Sequence, residues 1–262
     1  HDLLMLTNVG SSASPVFDAT TEPLNASWGN APLPFQQLVD YDGDHWPDLF
    51  TGSSVQENMP FFRGSSVTTS DWKKGLRYSG ETLIPLLRPG QRIQHRTPRG
   101  DTWDYRFLSD LNGDGLMDIL VGVHEGHIWF HRNSGTHGQG RIDEKGVRLK
   151  LVSGENLRVG LPPTQQDANA FDSLQGARTT LSTGDFNHDG KQDLVVCDTF
   201  GVIRLFVQST RAELMFETPV ILARQVKVRL SAQPIDWNDD GWDDIIATYA
   251  SEQSYLLINR AK

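Results

Sequence analysis

The chain has 262 residues, a formal net charge of −9 and 37% hydrophobic residues, enough for one large domain or two ordinary ones with a substantial core. With no basic excess to neutralise a phosphate backbone, nucleic acid is excluded as a partner class. No apolar run approaches the roughly 20 residues of a membrane-spanning helix, and the single cysteine, Cys197, excludes an internal disulfide.

The chain opens at His1 without an initiator Met or a signal-peptide pattern, and reads as a processed or excised piece. Its first element, "DLLMLTNVG", is strand-like and closes on an Asn-x-Gly turn, as "GHIWFHRN" with "NSGTH" does later. "SPVFDA" reads as a further strand, and Asn25-Ala26-Ser27 is a glycosylation sequon of common type. From residue 35 a unit begins that recurs. A short strand ("FQQLVD") runs into "DYDGDHWPD" (40–48), a second strand follows ("DLFTGS"), and a third after a brief turn ("MPFFRG"). The polar segment "SSVTTSDWKKGLRYSGE" (65–81) reads as a loop. The second unit repeats the order with "YRFLSD", "DLNGDGLMD" (110–118), "DILVGV" and "GHIWFHRN", then the candidate loop "GLPPTQQDANAFDSLQG" (160–176). The third has "TTLSTGD", "DFNHDGKQD" (185–193), "DLVVCD" and "GVIRLFVQ", with "TPVILA" as a further strand. The fourth has "LSAQPID", "DWNDDGWDD" (236–244), "DIIATY" and "SYLLINR".

The apolar runs are short, rich in β-branched and aromatic residues, and bounded by Gly, Asn and Asp. No long 3.6-residue period competes with them. About four strands per unit, repeated, predict an all-β chain whose units are blades of a β-propeller. The whole of 1–262 is then one domain: a blade remnant over 1–34 and units at about 35–104, 105–178, 179–227 and 228–262.

The four acidic loops share the spacing Asp-x-Asp/Asn-x-Asp-x-x-x-Asp. So many carboxylates on alternate positions repel one another unless a cation sits among them. Calcium takes six to eight oxygens at about 2.3–2.6 Å. Positions 1, 3, 5 and 9 offer side-chain oxygens, and position 7 can turn in a backbone carbonyl: Trp46, Leu116, Lys191 and Trp242. Magnesium fits less well, because it keeps waters in a tight octahedron. The alternative, solvated Asp-rich turns without metal, has to explain one spacing four times over. An EF-hand is excluded, because its Glu at position 12 is replaced here by Thr51, Val121, Val196 or Ala247, inside the next strand. Position 6 needs a sharp turn. Gly115, Gly190 and Gly241 supply it, whereas the first loop has His45, with Gly43 nearby and Pro47 at position 8. The first site is therefore expected to be the weakest.

The loops with their flanking strands resemble FG-GAP/VCBS-type repeats, as in integrin α-subunit propellers and many bacterial secreted proteins. The resemblance runs from Asp2 to Arg260. It implies Ca2+ held by Asp40, Asp42, Asp44 and Asp48; by Asp110, Asn112, Asp114 and Asp118; by Asp185, Asn187, Asp189 and Asp193; and by Asp236, Asn238, Asp240 and Asp244. It also implies an extracellular or cell-surface home, with the periplasm as a variant. Family rings usually have seven or eight blades. With four motif-bearing units, and third-strand segments at both chain ends, the ring is expected to be partial or irregular.

Two function classes stand. The first is a calcium-stabilised, non-catalytic module that binds a glycan or protein. The second is a carbohydrate-active enzyme, lyase-like, using His124, His127 and His131 with Glu125, or the basic run Arg92, His95, Arg96 and Arg99. On an extended strand His127, Trp129 and His131 share one face. Each group has an ordinary reading as turn or solvated loop. No Gly-x-Ser-x-Gly elbow is present, and Cys197 sits in an apolar strand, where a buried, inert thiol is expected. Trp46 and Trp242 at position 7 can stack on a partner or shield their loops. The explicit metal loops favour the first class.

Overall fold

The computed structural model describes residues 2–5, 9–11, 16–18, 22–27, 35–52, 60–66, 76–83, 104–123, 125–160, 179–198, 201–224, 230–249 and 254–260. Among them there is no helix, and so none that could cross a membrane.

The regular structure is a series of antiparallel sheets. The first unit contributes β3 (Phe35–Val39), β4 (Asp48–Gly52), β5 (Pro60–Ser66) and β6 (Leu76–Leu83), paired in that order. The second contributes β7 (Tyr105–Ser109), β8 (Asp118–Gly122), β9 (Ile128–His131) and β10 (Val147–Arg148), again in order. In the third, β12 (Thr180–Gly184), β13 (Asp193–Cys197), β14 (Val202–Phe206) and β16 (Val220–Arg224) form the sheet. The fourth has three strands, β17 (Leu230–Ile235), β18 (Asp244–Tyr249) and β19 (Ser254–Leu257). A short parallel pair, β11 (Lys150–Leu151) with β15 (Met215–Phe216), ties the second unit to the third. In every unit the acidic loop joins the first strand to the second, and the register brings the last residue of the first strand opposite the ninth loop residue: Val39 with Asp48, Ser109 with Asp118, Gly184 with Asp193, Ile235 with Asp244.

One expectation is corrected. The segment 65–81, read as a loop, contains the end of β5 and most of β6, so part of the first unit's excess length is its fourth strand. Leu76 and Tyr78 are ordinary strand residues, but Ser79, Gly80 and Glu81 broke the pattern in the sequence. The opening segment forms β1 (Asp2–Met5), which pairs with β2 (Glu22–Ser27) in a two-stranded antiparallel sheet. Of "SPVFDA", residues 16–18 are described and make no strand. Most of the candidate loop at 160–176 lies outside the described residues.

The second strand of each unit explains how neighbouring sheets pack. In β8, Ile119 and Val121 enter a cluster with Tyr41, Phe50 and Leu108 of the first and second units, while Leu120 enters another with Leu181, Leu194 and Phe206 of the third. In β13, Leu194 and Val196 face back toward the second unit, while Val195 and Cys197 face Ala232, Ile245 and Ala247 of the fourth. Side chains alternate faces along a strand, so a strand sandwiched between two neighbours must be apolar at every position. That is why "DILVGV" and "DLVVCD" read as continuous apolar runs rather than alternating ones.

First strands lie beside first strands. The amide of Leu108 donates to Gln37 Oε1 at 2.8 Å, the hydroxyls of Ser109 and Thr183 are 2.9 Å apart, and Ser182 Oγ donates to the Ala232 carbonyl at 2.7 Å. All four first strands line one cavity of about 250 Å³, with Gln36, Arg106, Thr180, Ser231 and Gln233 on its wall beside Phe107 and Leu181.

Candidate functional site

Each acidic loop is built by its own side chains. In the second loop the Asp110 carboxylate accepts from the amides of Asp114 (3.0 Å) and Gly115 (2.9 Å), Asn112 Oδ1 accepts from the Asp114 amide (2.9 Å), and Asp114 Oδ1 accepts from Leu116 (3.0 Å). The third and fourth loops repeat every one of these bonds. Asp185 accepts from Asp189 and Gly190, and Asp189 from Lys191. Asp236 accepts from Asp240 and Gly241, and Asp240 from Trp242. In the first loop Asp40 takes Gly43 and His45, and Asp44 takes Trp46. Such Asx turns explain why Asp and Asn occupy the odd positions. Residues of position 7, Trp46, Leu116, Lys191 and Trp242, thus donate their amides to position 5.

The ninth residue has a second task that the sequence did not disclose. Asp48, Asp118, Asp193 and Asp244 are all fully buried. One carboxylate oxygen accepts from the backbone at the end of the third strand: Gly64 at 2.7 Å, Asn133 at 2.7 Å, Gln208 at 2.8 Å and Asn259 at 2.7 Å. In three units the other oxygen accepts from position 2 of the loop: Tyr41, Phe186 and Trp237. The ninth carboxylate therefore fastens the loop to the third strand. The fastened residues then reach the preceding unit, since Gln208 Nε2 donates to the Leu111 carbonyl and Asn259 Nδ2 to that of Phe186. A sequence signal existed in the amide side chain 15 residues after the ninth Asp in units two to four.

Burial is unfavourable for these carboxyls. It pushes Asp118 up to about 7 and Asp193 up to about 6, and raises Asp48, with the other loop carboxylates adding to the rise and the backbone donors opposing it. Asp118 Oδ2 is buried without a protein partner. In the first loop, carboxylate oxygens of Asp40, Asp42 and Asp48 converge within 4.8 Å of one another. Oxygens around one calcium ion lie up to about 5 Å apart, so this donor set fits that ion. Two units also carry their own cation at the rim. Arg63 Nη2 lies 2.6 Å from Asp42 Oδ2, and Arg132 Nη2 lies 3.1 Å from Asp114 Oδ2. The third and fourth units have Val207 and Ile258 at the matching places.

The left-handed backbone at position 6 is present in all four loops, at His45 (φ 69°), Gly115, Gly190 and Gly241. Position 4 is left-handed too, at Gly43, Gly113, His188 (φ 56°) and Asp239 (φ 61°). Loops one, three and four thus each carry one non-glycine residue there, and only the second carries none. The first loop is not singled out by strain, which corrects the expectation that it is the weakest on that ground. Gly115→Ala should place the same strain in the second loop. Its new Cβ meets nothing within 4 Å, so the whole cost is backbone, about 1 kcal/mol net of the stiffer unfolded chain. Urea unfolding in chelator measures it.

Loops three and four also touch. The His188 and Trp242 rings stack at 3.7 Å, 3° from parallel, while Trp46 in the first loop stays 41% exposed. Of the residues weighed for acid–base work, His131 is fully buried with Nδ1 2.7 Å from the Asp143 carbonyl, and burial lowers its pKa. Arg92, His95, Arg96, Arg99 and His124 lie outside the described residues. The Cys197 thiol is buried and pushed up to about 12, so it is inert at neutral pH.

Residues 185–247, spanning the third and fourth loops and the strands between them, match the FG-GAP-like repeat. This stretch is an FG-GAP-type repeat. No curated protein matches the chain. Among solved structures, an Agrocybe aegerita lectin, described as recognising non-reducing terminal N-acetylglucosamine, aligns at 15% identity and a TM-score of 0.41, covering 97% of this chain and 74% of the lectin. The TcdB2–TccC3–Cdc42 complex aligns at 14% identity and a TM-score of 0.36, covering 97% of this chain and 17% of the other.

Proposed function

We propose that the chain is a calcium-stabilised, non-catalytic repeat module of β-propeller type that binds a glycan or protein partner outside the cell or at its surface. The four units are its blades within one domain, and its ring is partial or irregular. The observation that carries this reading is the fourfold acidic loop whose ninth carboxylate is buried. Calcium would be held by the side chains of positions 1, 3, 5 and 9 and the carbonyls of position 7. What the ion supplies there is charge neutralisation among crowded carboxylates, and so stability. The FG-GAP-type match over residues 185–247 supports the same reading.

A glycan array run beside a lyase assay on acidic polysaccharides tests the function. Binding without the absorbance of unsaturated products is the expected result. Product accumulating in proportion to protein would overturn the non-catalytic reading.

A further inference from the structure

The arginines at the rim of loops one and two hold the oxygens that an ion would use. In every loop the position 5 carboxylate accepts the position 7 amide on Oδ1, which leaves Oδ2 for an ion: Asp44 with Trp46, Asp114 with Leu116, Asp189 with Lys191, Asp240 with Trp242. In loops three and four that Oδ2 accepts from the position 3 side chain, Asn187 Nδ2 at 3.2 Å and Asn238 Nδ2 at 2.9 Å. Among the described residues no ion pair reaches Asp189 or Asp240. Lys191 does not supply one, because its Nζ donates to the Ser209 carbonyl. In loop two Arg132 Nη2 joins Asn112 Nδ2 on Asp114 Oδ2, at 3.1 and 3.0 Å. In loop one position 3 is Asp42, an acceptor where the other loops have an amide donor. Arg63 takes the donor's place, its Nη2 lying 2.6 Å from Asp42 Oδ2 and 3.4 Å from Asp44 Oδ2. The fold dictates this placement. The ninth carboxylate anchors the amide of Gly64 or Asn133, so the residue just before it, Arg63 or Arg132, is held beside its own loop. Val207 and Ile258 hold that place before Gln208 and Asn259. Both arginine side chains are 57% exposed, so each is free to swing into water and give up its oxygen.

We propose that Arg63 and Arg132 are tethered competitors for calcium, dividing the four loops into a weak pair, one and two, and a tight pair, three and four. The inference rests on the calcium reading and adds graded occupancy to it: the weak pair fills only where free calcium is high. An exposed ion pair is worth little, so the arginine yields its oxygen, yet it stays nearby as a like charge. Together the two effects should weaken each of these loops by about tenfold. Calcium titration calorimetry on the chelator-stripped chain is the test. It should resolve two affinity classes of two ions each, with Asp185→Ala losing a tight ion and Asp110→Ala a weak one. Arg63→Val and Arg132→Val, which install the residue of the third unit, should each tighten one weak site by about tenfold. Arg63→Val should gain more, because Asp42 then keeps its full charge. Ile258→Arg, at a position 39% exposed, should move one tight site into the weak class. Four equal sites, a tight ion lost in Asp110→Ala, or affinities unchanged in Arg63→Val, Arg132→Val and Ile258→Arg would overturn the competition and leave the calcium reading standing. A chain that binds no calcium would overturn that reading and the inference with it.

Discussion

Asp193→Ala is expected to lower the unfolding free energy by about 2–4 kcal/mol, in chelator as well as in calcium. The Asp193 carboxylate is fully buried and accepts from the amides of Phe186 (3.2 Å) and Gln208 (2.8 Å). Removing it leaves two buried donors unmet, at about 1–3 kcal/mol each, partly offset by relief of a carboxylate that burial disfavours. Asp185→Ala makes a sharp contrast. Its carboxylate also accepts from two amides, those of Asp189 and Gly190, but these sit in an exposed loop, where water can replace it. That variant should cost under about 1 kcal/mol in chelator and lose the calcium contribution of its loop. Urea unfolding of both variants, with and without calcium, separates the two roles. Equal losses in chelator would show that the ninth residue is no more than a ligand.

Withdrawing calcium should have the other large effect. A site whose affinity is a hundredfold tighter than the free calcium level stabilises by about 2.7 kcal/mol. Two such sites rival the lower end of a domain's net stability of about 5–15 kcal/mol. The pH dependence carries a sign. Asp118 is raised to about 7 and Asp193 to about 6, above an ordinary carboxyl near 3.9, so the calcium-free fold favours their protonated forms. Their contribution is full below about pH 4 and is lost as pH rises through about 6–7. Calcium requires the charged forms, so its stabilisation grows through that same window. Melting curves recorded across it should diverge, falling with pH in chelator and rising relative to that baseline in calcium. Coincident curves at every pH would remove the metal from the account.

Much of this was legible in the residues. The strands around each loop were, because a sheet squeezed between two neighbours must spell apolar runs such as Ile119–Val121 and Leu194–Cys197, and because turn chemistry fixes Asp and Gly on set positions. What escaped depended on partners far along the chain. β6 hides behind Ser79, Gly80 and Glu81, and it is a strand because β5 pairs with it. The buried role of the ninth Asp needs the third strand's amide, 15 or 16 residues later. The left-handed backbone at His188 and Asp239 breaks no sequence rule, since short polar residues and histidine visit that region.

Calcium binding to the chelator-stripped chain, counted by titration calorimetry and native mass spectrometry, tests the central claim most directly. The account predicts four ions on the intact chain and three on Asp185→Ala, with the melting temperature rising as the sites fill. A chain that takes up no calcium at millimolar concentration, or one whose count is unchanged in Asp185→Ala, would contradict it.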